Sequence, residues 1–298
     1  MNRFASAAAV LSLVAALAVP MVAEAHRPWI LPSSTVLSGE DAWVGIDAGI
    51  SNGVFEADHA SMRLDGMTIT APDGTSLPLE HPMQGQYRST FDAHLTQAGT
   101  YRIGSASVGV QAAWMLNGVP GRWRGPAADL AANVPAGATD VVSAPNASRL
   151  ETFVTLGEPS TAIFKPTGQG IEMVPVTHPN DLVSGEPATF QLLKDGQPLV
   201  GADVTVIRGA GRYRDTPGDL AVKTGDDGRF SVTWPEAGMY WINTVVRPAG
   251  YVQPERMEPM GPANGPRPEG SRGPEGPRGP GGPPVAMASY TAVLEVLP

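Results

Sequence analysis

Cysteine is absent from the 298-residue chain. Disulfide bonds, thiolate nucleophiles and cysteine-based zinc or iron–sulfur sites are therefore excluded, so any metal must be bound by His, carboxylate, Met or a terminal amine. Charge is also sparse: charged residues make up 16% of the chain, and the formal net charge is −9. Because an acidic surface repels phosphate groups, we expect no nucleic-acid partner.

The motifs of common enzyme classes are missing as well. The sequence has no Gly-x-Ser-x-Gly elbow, no His-Glu-x-x-His pair, no phosphate-binding loop and no dinucleotide fingerprint. We therefore expect that the protein is not an enzyme. A copper oxidase that uses an N-terminal histidine is the enzymatic alternative.

Long apolar runs are confined to the amino-terminal end. Residues 7–22 form such a run after Arg3, and the small residues Ala-Glu-Ala follow at 23–25. This order predicts a secretory signal peptide over residues 1–25, cleaved before His26, and a periplasmic location. An uncleaved anchor is the alternative, but the run is short for a membrane span. We expect no membrane span in the mature chain.

What the sequence does contain favours strands and turns. It has 35 Gly and 30 Pro, and hydrophobic residues make up 42%. Strand-like segments such as 41–47 and 202–207 alternate with turn signals such as Ala-Pro-Asp-Gly at 71–74. We predict an all-β fold: two tandem immunoglobulin-like β-sandwich domains after a cleaved signal peptide, the first over 26–165 and the second over 171–298.

An internal echo supports two related domains. Residues 91–103 match residues 230–242, with Phe, Ala, Gly, Tyr and Ile in register. In each copy an Ala-Gly-x-Tyr step is predicted to turn into a strand whose tyrosine, Tyr101 or Tyr240, faces inward.

Two segments lack this pattern. Residues 118–148 are predicted to form a long connection between strands, with one short helix near 127–132. The Pro/Gly-rich residues 258–284 include five Gly-X-Y triplets, too few for a collagen helix, and predict a disordered loop inside the last hairpin of the second domain.

Tryptophan on a sandwich face can bind sugar rings, but it more often fills a core or covers a seam between domains. We favour the second interpretation for all six residues. They are Trp29, Trp43, Trp114, Trp123, Trp234 and Trp241.

His26 is the most informative residue for function. Cleavage after residue 25 would make it the first residue, and its α-amine and imidazole could together chelate Cu(II) or Ni(II). One more histidine, from His59, His81, His94 or His178, would complete a site with three nitrogen ligands. The alternative is that His26 is simply the first residue after the cut.

Other ligand candidates lie nearby in sequence. Glu56, Asp58 and His59 form a small cluster that suits a divalent cation, although a solvated loop with a capping aspartate is equally expected. His94 shares a strand face with Asp92, as a ligand pair or as an exposed polar face.

His81 and His178 each precede a proline, a position that more often serves a turn. The candidate metal ligands are His26, Asp58, His59, His94 and His178.

Several of these segments resemble a known family. They are His-Arg-Pro-Trp-Ile-Leu-Pro-Ser at 26–33, Asp-His at 58–59, His-Pro-Asn-Asp-Leu at 178–182 and Trp-Pro-Glu-Ala-Gly-Met-Tyr-Trp at 234–241. They are similar to DUF4198, a family of secreted bacterial proteins that also carries the label of a nickel-uptake substrate-specific component. The resemblance covers nearly all of the mature chain and points to His26, His59 and His178.

The label implies an association with metal uptake, including nickel, cobalt and iron systems. Transporter subunits under that label carry a membrane-spanning segment, which we do not expect in this mature chain. We therefore expect a soluble periplasmic accessory that binds or delivers a divalent transition metal (Ni, Cu or Co), with a component of a membrane transport system as its partner. The alternative is a non-catalytic immunoglobulin-like module that binds an envelope protein or glycan.

Overall fold

The computed structural model describes residues 26–214, 218–249 and 283–298. The predicted signal peptide at 1–25 and residues 258–282 of the predicted loop lie outside these ranges. Among the described residues, no helix is both long enough and apolar enough to span a membrane.

Strands dominate the described residues. The first group is β1 (Arg27–Pro32), β2 (Val36–Leu37), β3 (Ala42–Ser51), β4 (Ala60–Ser61), β5 (Met67–Thr70), β6 (Ser76–Leu77), β7 (Glu80–Gln84), β8 (Ser89–Leu95), β9 (Gly99–Leu116), β10 (Val119–Gly125) and β11 (Thr139–Leu156). The second group is β12 (Ile171–Pro175), β13 (Pro187–Lys194), β14 (Gln197–Pro198), β15 (Asp203–Arg208), β16 (Leu220–Lys223), β17 (Arg229–Thr233), β18 (Gly238–Val246) and β19 (Met287–Val296). The helical elements are α1 (Leu130–Asn133) and three 3₁₀ turns, Ala127–Asp129, Ala162–Phe164 and Gly211–Tyr213.

One sheet runs through both halves of the fold. It has ten strands with the main order β16-β15-β18-β19-β11-β9-β5-β6, and β10 and β2 join it at β9 and β11. A second sheet, β1-β3-β8-β7 with β4, belongs to the first half. A third, β12-β13-β14 with β17, belongs to the second half. The halves meet where β19 pairs in parallel with β11, from Asn146↔Met287 to Thr152↔Val293.

The two smaller sheets cover opposite faces of the shared sheet. Along β11, Leu150 and Val154 belong to the first hydrophobic core, whereas Phe153 belongs to the second. Since alternate residues of a strand point to opposite faces, the two cores lie on opposite sides of the seam. The predicted all-β class is confirmed, and the two cores agree with β-sandwiches in tandem. The domain bounds 26–165 and 171–298 stay predictions.

The inward tyrosines at the repeated corner are confirmed. Tyr101 and Tyr240 are buried. The hydroxyl of Tyr101 donates to the carbonyl of Gln97 at 2.8 Å, and that of Tyr240 donates to the carbonyl of Glu236 at 2.7 Å. Each bond ties the strand to the residue four positions earlier and fixes the preceding turn.

The prediction of a long connection over 118–148 is wrong in part. Residues 119–125 form β10 on β9, and β11 begins at Thr139 and pairs with β9 in register up to Leu156↔Gly99. The strands here are formed by continued backbone pairing between the two 18-residue strands β9 and β11, and many side chains in this part of both strands are exposed. The sequence therefore lacks the clear alternation of apolar and polar residues that would have predicted strands. The short helix expected near 127–132 is present as Ala127–Asp129 and α1.

Candidate functional site

The structure brings His26 and His59 together. Strands β1 and β4 both pair with the carboxyl-terminal end of β3, through Arg27↔Ser51 and Ile50↔Ala60. The residue that precedes each strand is a histidine, so the two rings meet beside this end of β3. Their centroids are 3.6 Å apart and their planes differ by 12°. His59 is exposed and His26 is half-buried, so solvent reaches the pair.

Asp58 acts on the loop that presents His59. One of its carboxylate oxygens accepts the backbone N–H of Asn52 at 3.0 Å, and the backbone N–H of Asp58 donates to the carbonyl of Glu56 at 3.0 Å. These bonds close the loop between β3 and β4. Asp58 therefore caps the loop, which is the alternative to metal binding that the sequence left open. It does so directly beside the candidate ligand His59.

An apolar cluster underlies the pair. Trp29, Val54, Ile207, Trp241 and Val293 are buried together where the first half of the fold meets β15, β18 and β19. The indole of Trp29 donates to the hydroxyl of Ser51 at 2.7 Å, which fixes the end of β3.

Close backbone approach is required in this cluster. A Cβ on Gly49 would stand 2.6 Å from the Trp29 ring, and one on Gly209 would stand 2.7 Å from the Phe55 ring. Phe55 itself has a φ of 63° and meets Trp29 edge to face at 6.0 Å. This close packing holds β1 and the loop that contains Asp58 in place.

His94 lies away from the pair, on the outer face of the β1-β3-β8-β7 sheet. Its Nε2 is 2.7 Å from Oδ1 of Asp41, and its ring stacks on Trp43 with centroids 4.2 Å apart. Asp92 shares that face, as predicted from the strand spacing, but its carboxylate pairs with Nδ1 of His81 at 3.0 Å. The two members of the predicted ligand pair therefore have separate partners.

His178 uses both ring nitrogens inside the fold. Its Nδ1 accepts the backbone N–H of Asn180 at 3.2 Å, so the proton of the neutral ring is on Nε2. That nitrogen faces the Thr100 hydroxyl at 3.1 Å and the Ser160 carbonyl at 3.3 Å. Burial lowers the pKa of His178 below its ordinary value, although the Ser160 carbonyl opposes this.

The ring of His178 also meets Phe164 edge to face and lines an apolar hollow of about 540 Å³ beside Lys165. These contacts of His178 connect β9 with the loop after β12, and none of them involves His26 or His59.

Side chains alone do not complete a metal site in the described part of the chain. Within residues 26–214, 218–249 and 283–298, no group of three or more His, Asp or Glu side chains is arranged to hold one ion. The His26–His59 pair supplies two imidazoles, and a metal bound there needs at least one further donor.

Sequence analysis missed a buried charge network at the seam. Arg149 lies 3.1 Å from Oε1 of Glu172 and 3.7 Å from Oε2 of Glu151, and Tyr290 donates to Glu151 at 2.7 Å. Burial raises the pKa of Glu151, against the opposing effect of Arg149. Arg149 and Glu151 lie two residues apart on β11, which places them on one face of the strand and could have suggested an ion pair. That this face is buried becomes clear only from the parallel pairing of β11 with β19.

Comparison with known proteins identifies the family of the chain. The family model described as Domain of unknown function (DUF4198) matches residues 23–247. No curated protein matches the chain. Among solved structures, a marsupial T cell receptor is similar at 9% identity, over 75% of this chain and 69% of that chain, with a TM-score of 0.18.

Proposed function

Because the chain belongs to the family Domain of unknown function (DUF4198), whose description assigns no activity, we propose a function from the geometry: His26 and His59 bind one divalent transition-metal ion. The observation that carries this proposal is the parallel stacking of the two imidazoles at 3.6 Å. It places together two residues that are 33 positions apart in sequence and that were candidate ligands on sequence grounds.

The spacing suits coordination. Metal–imidazole bonds are about 2.0–2.1 Å long, so two ring nitrogens bound to one ion lie within about 4 Å of each other. Rings stacked 3.6 Å apart are close enough for this, but their in-plane lone pairs run side by side, so binding requires both rings to tilt until those lone pairs converge on the ion. Exposure of His59 leaves room for an ion to enter and leave.

The third donor is the amino terminus of the processed chain. Cleavage after residue 25 places an α-amine on His26, so that one residue offers an amine and an imidazole. Three nitrogen ligands favour Cu(II) and Ni(II), for which square-planar or tetragonal nitrogen coordination is typical, with Co(II) behind them. A site of this kind leaves coordination positions open for a partner's ligands, as delivery requires.

We place this activity in the periplasm, as a metal-binding or metal-delivery accessory that transfers nickel, cobalt, copper or iron toward a component of a membrane transport system. Support comes from the signal-peptide pattern at residues 1–25 and from the resemblance to proteins labelled for nickel uptake. The buried cluster of Trp29 and Trp241 adds a rigid base for the ligands.

The experiment is a calorimetric titration of the processed chain with Ni(II), Cu(II) and Co(II), after mass spectrometry has established that it begins at His26. Loss of a metal ligand should cost at least about 100-fold in affinity, so His59→Ala should weaken binding by that factor. His94→Ala is the matched control, since it removes an imidazole from a different part of the same sheet and should leave the affinity unchanged. Equal affinity in His59→Ala and the unaltered chain would overturn the proposal.

A further inference from the structure

The outer face of the β1-β3-β8-β7 sheet carries an exposed aromatic side chain. Trp43 lies on β3 with 50% of its surface exposed, whereas Trp29, Trp114, Trp234 and Trp241 are buried. Trp234 lies in a core and Trp29 and Trp241 lie at the seam, as predicted. Trp114 is buried outside these clusters, Trp123 is half-buried, and the prediction fails for Trp43. An indole left open on a rigid strand exposes a flat apolar face to solvent at a cost in solvation.

The Trp43 ring is held in place with one face covered by His94 and half of its surface still exposed. It stacks on His94, with centroids 4.2 Å apart and planes within 6°, and His94 is fixed in turn by Asp41 at 2.7 Å. His81 lies 5.9 Å from the indole and is fixed by Asp92 at 3.0 Å. The two imidazole–carboxylate pairs restrict the rings that surround the indole, so little side-chain entropy remains to be lost on binding.

A shallow trough continues from Trp43 along β3. The next outward position is Gly45, which has no side chain, and a Cβ placed there would stand 3.5 Å from Oδ1 of Asp92. The outward position after that is Asp47, which pairs with Arg88 at 3.1 Å. The strip of Trp43, Gly45 and Asp47 therefore presents an aromatic face, an open floor, and then a carboxylate beside a guanidinium.

We propose that this strip binds a β-1,4-linked saccharide of gluco-configured pyranose units. The substituents of such a ring are equatorial, so its two faces carry only C–H groups, which suit the electron-rich face of an indole. One unit stacks on the face of Trp43 opposite His94, while the next lies over Gly45. Its hydroxyls donate to Asp92 and Asp47 and accept from Arg88, which are the polar groups that border the trough.

The chemistry of the strip favours a neutral sugar over a metal ion. The carboxylates of Asp41 and Asp92 already engage His94 and His81, and no group of three such side chains converges within the described ranges. This proposal uses residues distinct from His26 and His59, so it stands or falls independently of the metal site.

The test is calorimetric titration of the processed chain, residues 26–298, with three soluble probes. They are tetra-N-acetylchitotetraose, cellotetraose and β-1,4-galactotetraose. Either gluco-configured probe should bind at least about ten-fold more tightly than the galacto-configured one, because linkage through an axial O4 bends the galactose chain away from a straight strand. Trp43→Ala should lower the affinity at least about ten-fold, as removal of a central tryptophan does in other binding sites.

Two further variants separate binding from folding. Gly45→Val fills the trough with a residue that suits a strand, so it should keep the thermal stability and still reduce the affinity. Tyr87→Ala removes another exposed aromatic side chain, outside the strip, and should bind the probes like the unaltered chain. Absence of binding to both gluco-configured probes at millimolar concentration, or unchanged affinity in Trp43→Ala, would overturn the proposal.

Discussion

The indole N–H of Trp241 donates a hydrogen bond of 2.9 Å to the backbone carbonyl of Pro28. The bond joins β18, in the second half of the fold, to β1, two residues after His26. The Arg27 guanidinium lies 5.9 Å from the centre of the same indole. The candidate ligand His26 is therefore positioned partly by the C-terminal half of the chain.

This bond predicts that Trp241→Phe weakens both folding and metal binding. Phenylalanine keeps most of the buried apolar surface but leaves the Pro28 carbonyl without its donor. We expect a loss of about 1 kcal/mol in the free energy of unfolding and a several-fold weaker affinity for Cu(II) or Ni(II). Denaturant titration and metal calorimetry measure the two effects.

Trp234→Phe is the control for this prediction. Trp234 is also buried, but within the described residues its indole nitrogen has no hydrogen-bond partner. Its replacement should change stability through packing alone and leave the metal affinity unaltered. Equal losses of metal affinity in both variants would contradict the role of the Trp241–Pro28 bond.

His178 predicts a pH dependence of stability. Because burial lowers its pKa from 6.5 in the folded chain, the unfolded chain takes up the proton first as the pH falls. The stability that His178 contributes is therefore complete above pH 6.5 and is lost as the pH falls through the lowered pKa.

His178→Phe removes this titration together with the hydrogen bonds to Asn180 and Thr100. The variant should be less stable near neutral pH, and its unfolding midpoint should fall less than that of the unaltered chain as the pH is lowered below 6.5. Parallel stability curves for the two proteins across that range would argue against a titrating His178.

Arg149 predicts a large stability effect at the seam. Arg149→Met would leave the buried Glu172 without its cation and would leave the buried Glu151 with only the weaker influence of Arg102. Breaking a buried pair in this way costs about 3–5 kcal/mol. Denaturant unfolding measures the loss, and Arg63→Met is the control, because the Arg63–Asp65 pair is exposed and should contribute at most about 1 kcal/mol.

The two tyrosine corners predict modest losses. Tyr101→Phe and Tyr240→Phe each remove a hydroxyl that donates to a carbonyl four residues earlier, and Tyr101→Phe also removes the acceptor of the Gln97 N–H, so its loss should be the larger. We expect each to cost at least about 1 kcal/mol in the free energy of unfolding. Tyr87→Phe, at an exposed position, should cost almost nothing. A negligible effect at both buried corners would show that these bonds do not stabilise the turns.

Local sequence patterns predicted a good part of this fold. Alternation along β3 and β15 and the repeated Ala-Gly-x-Tyr step predicted strands and inward tyrosines that the structure contains. Such signals come from residues a few positions apart, which a sequence shows directly. The sequence identified both His26 and His59 as candidate ligands but did not predict that they contact each other. Their contact depends on the pairing of β1 and β4 with β3.

Long-range pairing was beyond local patterns. Nothing near Arg149 or Glu151 indicates that β19, about 140 residues later, pairs beside them and makes their face buried. The partner of His94 is likewise Asp41, 53 positions away, rather than Asp92 two positions away. Both outcomes depend on strand register across the sheet, and the alternation of side chains within one strand does not determine it.

The most direct test of the metal site is to block the α-amine of His26 while keeping both imidazoles. An α-amine has a pKa of about 7.7 and a lysine side chain one of about 10.4, so near neutral pH a larger fraction of the α-amine is unprotonated and reactive. Mild acylation at this pH therefore modifies the terminus selectively. The processed and the N-acetylated chains should then be titrated with Cu(II) under the same conditions. We expect acetylation to weaken binding at least about 100-fold, since a ligand is removed. Equal affinity of the two forms would contradict an amino-terminal chelate at His26 and His59.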